Sequence, residues 1–541
     1  MIPDEIAPKP EFHSIRPVVM SKGGAVIAGT SLGAEAGARM LRAGGNAMDA
    51  AIAAALVQAV VMPHMNGFGG DLFILHRSRQ GEVSCLNASG ESPAAATLEA
   101  FQARGLKEVP ARGIESASVP GAVEGWFRAL EQFGSMKPAE VFAPALEYAR
   151  GGFPVHKNLI RYLTSPAFQQ LRMMTPTLEP IFFVGGRPPE FGSLLRQPAM
   201  ARMIERMIKN GPDEFYRGET ATMIDKESKR HSGFLASGDL ARYQSKWVKP
   251  LSVAYRGYRV YQVPPNSQGI AMLQQLRTIE PYDLSALGHN APDYIELLAK
   301  AKRAAFFDRD TLVADPDVVD VPVEEMLSDT HIAAFRKSMG DASTGAMPKS
   351  AALRRPIGDT TALSVVDAEG NAVSLIQSLF DDFGGGVYVA EAGFALHNRM
   401  CGFTLEPGHA NVLAPNKRPM HTLCTSMVTR DDRLFMCFVT PAGHAQTQTL
   451  VQILNNIVVF GMDPQEAVEA PRWIDESTRI LMESRFSATT GKAMEAKGNK
   501  VEWIPPWSGL SGGASAIVVH PEAGTRMAGA DPRRDSYAIP V

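Results

Sequence analysis

Apolar residues near the start of the chain recur at helical spacing. Residues 31–62 are rich in alanine, with apolar positions three and four apart, and the pair Gly44-Gly45 divides them. Residues at this interval share one face of a helix, and glycine commonly ends a helix. The pattern therefore predicts two helices, and their alanine-rich composition indicates that both are largely buried.

Two short segments after these helices are rich in strand-forming residues. Residues 71–76 and 82–87 are short runs of strand-forming residues separated by a polar turn, which predicts a hairpin after the two helices. From about residue 119 to 350 the pattern is mostly helical. A stretch rich in proline and glycine at 184–193 and a strand-like segment at 252–262 interrupt it.

The last third of the chain changes to a strand pattern. Residues 362–366 and 372–378 alternate polar and apolar positions around a turn, and they predict a hairpin. Residues 422–429 and 434–440 predict a second hairpin, and a helical pattern begins near Ala445. This third is therefore predicted to be rich in antiparallel strands, with a glycine-containing turn leading into a helix.

Composition places the chain among ordinary globular proteins. Of its 541 residues, 45% are hydrophobic and 21% are charged, which excludes disordered, collagen-like and coiled-coil classes. This length allows one large unit or two. The formal net charge is -3 and no basic arm is visible, so we expect neither a nucleic-acid partner nor a membrane partner.

Targeting and cofactor motifs are not visible in the sequence. Four irregularly spaced cysteines indicate reduced thiols, and the first residues lack the pattern of an export signal, so a cytoplasmic location is expected. The most apolar stretch, 50–62, is too short to span a bilayer. The histidines lack metal-site spacing and no phosphate-binding glycine motif is present, so we expect no metal and no cofactor.

Residues 358–361, Gly-Asp-Thr-Thr, carry the main chemical signal. Two threonines ahead of a strand indicate by themselves only β-propensity. Here they belong to an ordered series of motifs along the whole chain that resembles the gamma-glutamyltranspeptidase family. The matching segments are 44–51, 68–70, 118–121, 358–378, 383–384, 396–398, 416–419, 440–443, 470–472 and 530–533.

The resemblance implies an α+β fold, namely an αββα four-layer sandwich of two stacked antiparallel sheets flanked by helices, as in N-terminal nucleophile hydrolases. It also implies a zymogen that cuts its own backbone between Asp359 and Thr360. The products would be a large subunit, 1–359, and a small subunit, 360–541, intertwined as one domain. The sequence leaves open whether this pair forms a higher homo-oligomer.

The chemistry of a freed threonine supports this scheme. A threonine hydroxyl is a weak nucleophile, but the residue's own α-amine, once released by cleavage, can accept its proton. Before cleavage the same hydroxyl can attack the Asp359 carbonyl if the fold strains that peptide. Thr360 is therefore the predicted nucleophile both for maturation and for amide hydrolysis through a threonyl ester.

Three further residues match family positions around the nucleophile. Ser378 matches a threonine whose hydroxyl contacts the nucleophile's amine, and serine keeps that group. Ala442 and Gly443 match a pair of glycines whose N–H groups form the oxyanion hole, and alanine still supplies an N–H. Without the family, the same residues are consistent with a solvent-facing strand position and an ordinary glycine turn.

The substrate positions depart from the family members that act on glutathione. The arginine that binds the γ-glutamyl carboxylate aligns with Ser89, and the asparagine and aspartate that hold the amino group align with Phe380 and Gly402. Losing both contacts removes most of what recognises an α-amino acid head. Glutathione is therefore not the expected substrate.

Other substitutions point to a different acyl group. Arg399 stands where the family has glutamine or glutamate, and His421-Thr422 replace a serine pair, so these residues are candidate substrate contacts. Exposed arginines and lone histidines also serve purely structural roles. Several segments resemble the branch that contains oxamate amidohydrolase and related acylases, although Glu91 replaces that branch's arginine and would disfavour an anionic substrate.

These observations predict an autoprocessing amidohydrolase that cleaves a small amide with water as the acceptor. Two alternatives stay open. One is a true gamma-glutamyl hydrolase or transferase whose substrate clamp includes Arg399. The other is an uncleaved, inactive homologue that serves as a binding protein.

Overall fold

The computed structural model describes residues 14–183, 185–340 and 359–541. Its helices are α1 Ser31–Arg42, α2 Ala47–Val61, α3 Leu98–Ala103, α4 Ala122–Phe133, α5 Pro138–Gly151, α6 Lys157–Leu163, α7 Pro166–Met174, α8 Glu179–Phe182, α9 Pro198–Asn210, α10 Asp213–Tyr216, α11 Glu219–Arg230, α12 Ser237–Arg242, α13 Gly269–Ile279, α14 Leu284–Leu287, α15 Pro292–Leu312, α16 Val323–Met326, α17 Asp329–Gly340, α18 Gln446–Val458, α19 Pro464–Glu469 and α20 Ala488–Ala496. Its strands are β1 Val19–Ser21, β2 Ala25–Ala28, β3 Asp71–Arg77, β4 Val83–Ala88, β5 Phe153–Pro154, β6 Leu194–Leu195, β7 Lys246–Val248, β8 Leu251–Tyr255, β9 Tyr258–Gln262, β10 Asp359–Val366, β11 Ala372–Phe380, β12 Tyr388–Val389, β13 Phe394–Ala395, β14 Thr425–Arg430, β15 Arg433–Val439, β16 Trp473–Asp475, β17 Ile480–Glu483, β18 Val501–Ile504, β19 Ser515–Val519, β20 Arg526–Ala530 and β21 Tyr537–Pro540.

Two large antiparallel sheets organise the described residues. Sheet I has seven strands in the order β21-β2-β10-β11-β3-β4-β7, and sheet II has seven in the order β1-β20-β19-β15-β14-β9-β8. Smaller sheets are formed by β12-β13, by β16-β17-β18 and by β5-β6. Each large sheet therefore combines strands from residues 19–262 with strands from residues 359–540.

The alternation of side chains along the central strands explains the layers. On β10, Leu363 and Val365 join the core that contains α1 and α2, whereas Ala362 and Val366 join the core shared with sheet II. Helix α2 packs on β10 and β11, and α13 and α18 pack on sheet II. Each sheet thus has one face toward helices and one toward the other sheet, which confirms the predicted α+β sandwich.

The two predicted N-terminal helices are confirmed as α1 and α2. Gly44 has a φ of 90°, in the region that favours glycine, and it ends the first helix. Asn46 then caps α2, since its side chain accepts the N–H groups of Met48 and Asp49. Every residue of α2 is buried, in agreement with a sequence that is apolar except for Asp49 and Gln58.

The predicted hairpins are confirmed with small shifts, and one predicted segment differs. The strand-like segment 252–262 is a hairpin, β8 and β9, because Arg256 and Gly257 both have positive φ, 49° and 81°, and reverse the chain. Asp359 and Thr360 lie inside β10 rather than ahead of it. Gly358 of the Gly-Asp-Thr-Thr motif lies outside the described residues.

Among the helices that the structure describes, none combines the length and the apolar character needed to cross a membrane.

Candidate active site

The candidate site lies where strands of both sheets end together. In sheet I, β10 begins at Asp359 opposite Phe380, the last residue of β11, and β3 begins at Asp71 opposite Ser378. In sheet II, Val439 at the end of β15 pairs with Thr425 at the start of β14. The segments that leave these ends carry nearly all of the predicted site residues.

Thr360 and Ser378 contact each other at this edge. The Thr360 hydroxyl donates to Ser378 Oγ at 3.1 Å, and the Phe380 N–H donates to the same oxygen at 2.7 Å. The register shifts between Asp359 and Thr361, so the irregularity falls at the predicted nucleophile. Both hydroxyl-bearing residues are buried, so Ser378 is not a solvent-facing strand residue.

Asp71 is the buried acidic centre of the site. One carboxylate oxygen lies 3.0 Å from His421 Nε2 and 3.2 Å from His397 Nδ1, and the other accepts the Gly90 N–H at 2.9 Å. Burial by itself would raise the pKa of Asp71, but His397 and His421 hold that pKa well below its usual range. Asp71 is therefore a buried carboxylate with its oxygens occupied.

His421 orients this carboxylate. Burial lowers the pKa of His421 to about 3, so its ring is neutral at physiological pH. Its Nδ1 accepts the Leu423 N–H at 3.1 Å, which places the proton on Nε2, the nitrogen that faces Asp71. Both ring nitrogens of His421 are therefore engaged inside the protein, one by Asp71 and one by the Leu423 N–H.

Arg399 lies beside Phe380, the residue that pairs with the start of the predicted nucleophile's strand. Its guanidinium carbon is 4.1 Å from the centre of the Phe380 ring, and Nη1 donates to Thr422 Oγ1 at 3.2 Å. Nε lies 3.7 Å from the Asp71 carboxylate. Only 1% of Arg399 is exposed, and burial lowers its pKa to about 10, which still leaves it charged. Arg399 is therefore not a surface arginine.

Ser89 does not join these charged groups. Its hydroxyl donates to Asn87 Oδ1 at 2.7 Å and accepts from Asn266 Nδ2 at 3.2 Å, and the residue is fully buried. The next residue, Gly90, sends its N–H to Asp71. Ser89 therefore lies in the loop that contacts Asp71, with its hydroxyl bonded to Asn87 and Asn266.

The turn after β15 contains two consecutive residues with positive φ just ahead of a helix. Ala442 has φ 96° and Gly443 φ 50°, and the turn leads into α18. Alanine in this region costs about 1 kcal/mol, so the surrounding structure holds the turn in place. Gln268 Nε2 donates to the carbonyls of Gly443 at 3.0 Å and Thr422 at 2.6 Å. Gln268 thereby joins the turn to the segment that contacts Arg399.

Glu91 is paired inside the protein. Its carboxylate lies 2.8 Å from Arg418 Nη2, and the Arg418 side chain is almost fully buried. Arg418 also lies 3.0 Å from Asp317 and 3.8 Å from Asp315, so Glu91 shares the charge of one arginine with two other carboxylates.

Sequence reasoning missed Asp71, His397 and Gln268 as members of the site. An aspartate at the first position of a buried strand and a histidine within the 396–398 motif were signals that could have identified two of them. Gln268 carries no such signal. In the part of the chain that the structure describes, no group of three or more His, Cys, Asp or Glu side chains is arranged to hold a metal ion.

Comparison with known proteins gives a consistent result. The gamma-glutamyltranspeptidase family model matches residues 33–541. The chain is 36% identical over 520 residues to the glutathione hydrolase-like YwrD proenzyme of Bacillus subtilis (strain 168), covering 94% of this chain and 97% of that protein. It is 32% identical over 531 residues to the oxamate amidohydrolase proenzyme of Klebsiella pneumoniae subsp. pneumoniae, covering 96% and 98%. The crystal structure of cephalosporin acylase from Bacillus halodurans matches with a TM-score of 0.91 at 33% identity, covering 98% of each chain. The chain belongs to the gamma-glutamyltranspeptidase family.

Proposed function

We propose that this protein is an autoprocessing amidohydrolase whose nucleophile is Thr360. The observation that carries the proposal is the buried contact between the Thr360 hydroxyl and Ser378 Oγ, 3.1 Å apart at the end of two paired strands. The names of the relatives add support, since one is an oxamate amidohydrolase proenzyme and a solved neighbour is a cephalosporin acylase.

Maturation would begin with attack of Thr360 Oγ1 on the carbonyl carbon of Asp359. The carbon–nitrogen bond of that peptide breaks, and the hydroxyl proton moves to the nitrogen, which becomes the free α-amine of Thr360. Water then hydrolyses the ester between the two residues. The result is an Asp359 carboxylate at the end of one chain and a threonine at the start of the other.

Turnover would use the same oxygen. Thr360 Oγ1 attacks the substrate's amide carbon, and the α-amine takes the hydroxyl proton and passes it to the departing nitrogen. The backbone N–H groups of Ala442 and Gly443 would stabilise the negative oxygen of the tetrahedral intermediate. Water releases the acid and restores Thr360.

Both sheets would hold the two chains together after cleavage. Strands β10 and β11 of the small subunit lie between β2 and β3 of the large one, and β14 pairs with β9 of the large one. The subunits of 359 and 182 residues would therefore remain intertwined as one domain.

Intact mass spectrometry of Thr360→Ala tests the proposal. The wild-type protein should give two species that correspond to residues 1–359 and 360–541, and Thr360→Ala should give one full-length species without amidase activity. Thr361→Ala is a matched control, because Thr361 is equally buried but its hydroxyl has no hydrogen-bond partner among the described residues. It should still mature. Full amidase activity in an uncleaved wild-type chain would refute the proposal.

A gamma-glutamyl hydrolase or transferase is the second candidate, since one relative is named as glutathione hydrolase-like. Efficient transfer from γ-glutamyl anilide to glycylglycine would favour it over amide hydrolysis. A single full-length band from fresh wild-type protein on denaturing electrophoresis, together with no amidase activity, would favour an inactive binding protein instead.

A further inference from the structure

Arg399 has donors that the protein leaves unsatisfied. The side chain is almost completely buried, yet Nε and Nη2 have no hydrogen-bond acceptor among the described residues. A buried guanidinium with open N–H groups is costly unless an anion completes its shell. Asp71 is 3.7 Å from Nε, but its oxygens already accept from His421 and Gly90.

Two other buried groups carry donors, Thr422 in contact with Arg399 and His444, whose pKa is lowered chiefly by burial and also by the nearby charge of Arg399. The Thr422 hydroxyl accepts from Arg399 Nη1 at 3.2 Å, so its own proton is directed to another acceptor. Arg309 Nη1 lies 3.3 Å from His444 Nδ1, and because arginine only donates, the His444 proton is on Nε2. That Nε2 is buried without a partner in the described part of the chain.

Arg399 is also within a short reach of the nucleophile. Its guanidinium covers the Phe380 ring, the Phe380 N–H donates to Ser378 Oγ, and the same oxygen accepts from Thr360. On the other side, Gln268 connects the Thr422 carbonyl to that of Gly443. Contacts therefore connect Arg399 to the proposed nucleophile through Phe380 and Ser378, and to the proposed oxyanion turn through Thr422 and Gln268.

The positions that align with the family's ammonium-binding residues provide no side-chain hydrogen-bond acceptor for a substrate α-amino group. Phe380 has no polar side-chain atom, and Gly402 has no side chain. The nearby Asp381 carboxylate accepts from Asn398 Nδ2 at 2.8 Å. The charge of Arg399 also opposes a second cation close to it.

We propose that Arg399, assisted by the Thr422 hydroxyl, binds a carboxylate on the acyl group, so that the preferred substrates are monoamides of short dicarboxylic acids without an α-amino group. This inference rests on the proposed function and specifies its substrate class. The carboxylate would form a charge-assisted pair with Nη2 while the amide carbon reaches Thr360.

Three anilides of matched chain length test the inference. Glutaryl anilide carries the carboxylate, γ-glutamyl anilide carries the carboxylate and an α-amine, and valeryl anilide carries neither. The wild-type protein should cleave glutaryl anilide with a kcat/KM about tenfold to a hundredfold higher than either of the others. Equal rates for glutaryl and valeryl anilide, or a preference for γ-glutamyl anilide, would overturn the inference.

Variants separate carboxylate binding from folding. Arg399→Gln should lose the preference for glutaryl over valeryl anilide, and Thr422→Val should weaken it while leaving Arg399 in place. A preference unchanged in both variants would contradict the assignment.

The processing reaction separates this inference from the proposed function. A protein that matures and hydrolyses valeryl anilide equally well supports the function and refutes the carboxylate site. If no anilide reacts, thermal unfolding of Thr360→Ala with free glutarate decides. A higher melting temperature with glutarate, lost in the double variant with Arg399→Gln, supports the site, and no shift refutes it.

Discussion

The hydroxyl of Ser378 accepts hydrogen bonds from Thr360 and from the Phe380 N–H, so it holds the proposed nucleophile against the end of β11. Ser378→Ala should slow both maturation and turnover by about tenfold to a hundredfold, because one oriented hydrogen bond to the reacting group is lost. Ser378→Thr keeps the hydroxyl and should retain most activity. The measurements are the rate at which full-length protein disappears and kcat/KM on the best anilide.

A structural role alone would give a different result at this position. If Ser378 only fills space, Ser378→Ala should change the melting temperature without changing either rate, and Ser378→Thr should be the more damaging substitution because it adds a methyl group to a packed site.

The sequence alone could predict that two site residues lie close together only where both belong to the same hairpin. Thr360 and Ser378 belong to paired strands, so their proximity follows from the hairpin. Asp71 and His421 are 350 positions apart, and no local pattern brings them together. Arg399 illustrates the same limit, because its burial depends on Phe380 and Thr422 from other segments.

Among the elements, the hairpins were predictable because alternation and turn residues act locally. The hairpin of β8 and β9 was predicted as one strand-like segment, since Arg256 is an unusual residue at a turn position with positive φ. Gly257 was the residue in this segment that could have indicated a turn. The short helix-rich segments between 119 and 350 gave no comparable signal of where they pack.

A buried ion network supports the turn that follows β15. Glu483 pairs with Arg533 Nε and Arg485 Nη2, both at 2.6 Å, and accepts from Ser511 Oγ at 3.2 Å. Next to Ser511, Gly512 packs so closely that a Cβ there would lie 2.4 Å from Thr440 Oγ1. The network thereby positions the chain beside the proposed oxyanion turn.

Glu483→Gln should destabilise the protein by about 3 kcal/mol, because Arg485 loses its carboxylate partner and the buried Arg533 keeps only its pair with Asp531. It should also lower kcat more than it raises KM, since the turn beside Thr440 loses its support. Chemical denaturation and steady-state kinetics measure the two effects. Glu502→Gln is the control, because Glu502 pairs with Arg479 at 2.6 Å but is partly exposed, and its loss should cost about 1 kcal/mol at most. Equal effects from both variants would contradict a special role for the network.

At the scale of the whole molecule, the order of strands could not be predicted from the sequence. The C-terminal strand β21 pairs with β2 near the start of the chain, and β10 inserts between β2 and β11. Many antiparallel strands show the same alternation of polar and apolar residues. This periodicity alone therefore does not determine which strand pairs with which. The family resemblance supplied the layered architecture that the local patterns did not.

Stability of the whole molecule should fall in mild acid. Burial is the main cause that lowers the pKa of His421 and His444 to about 3 and of His76 and His289 to about 4. In the unfolded chain a histidine titrates near pH 6.5. Between about pH 6.5 and 4 the unfolded state therefore binds more protons than the folded state, and the free energy of unfolding decreases as pH falls.

The decrease should amount to about 1.4 kcal/mol per pH unit for each histidine that titrates in this way. Chemical denaturation of Thr360→Ala between pH 7.5 and 4.5 measures it, because this variant should remain one chain. His76 packs against Phe133 with ring centres 4.0 Å apart, so His76→Phe should keep an aromatic contact there and remove one titrating group. Its pH dependence should be shallower than that of the parent by the contribution of one histidine, and an identical slope would show that His76 is protonated in the folded protein as readily as in the unfolded chain.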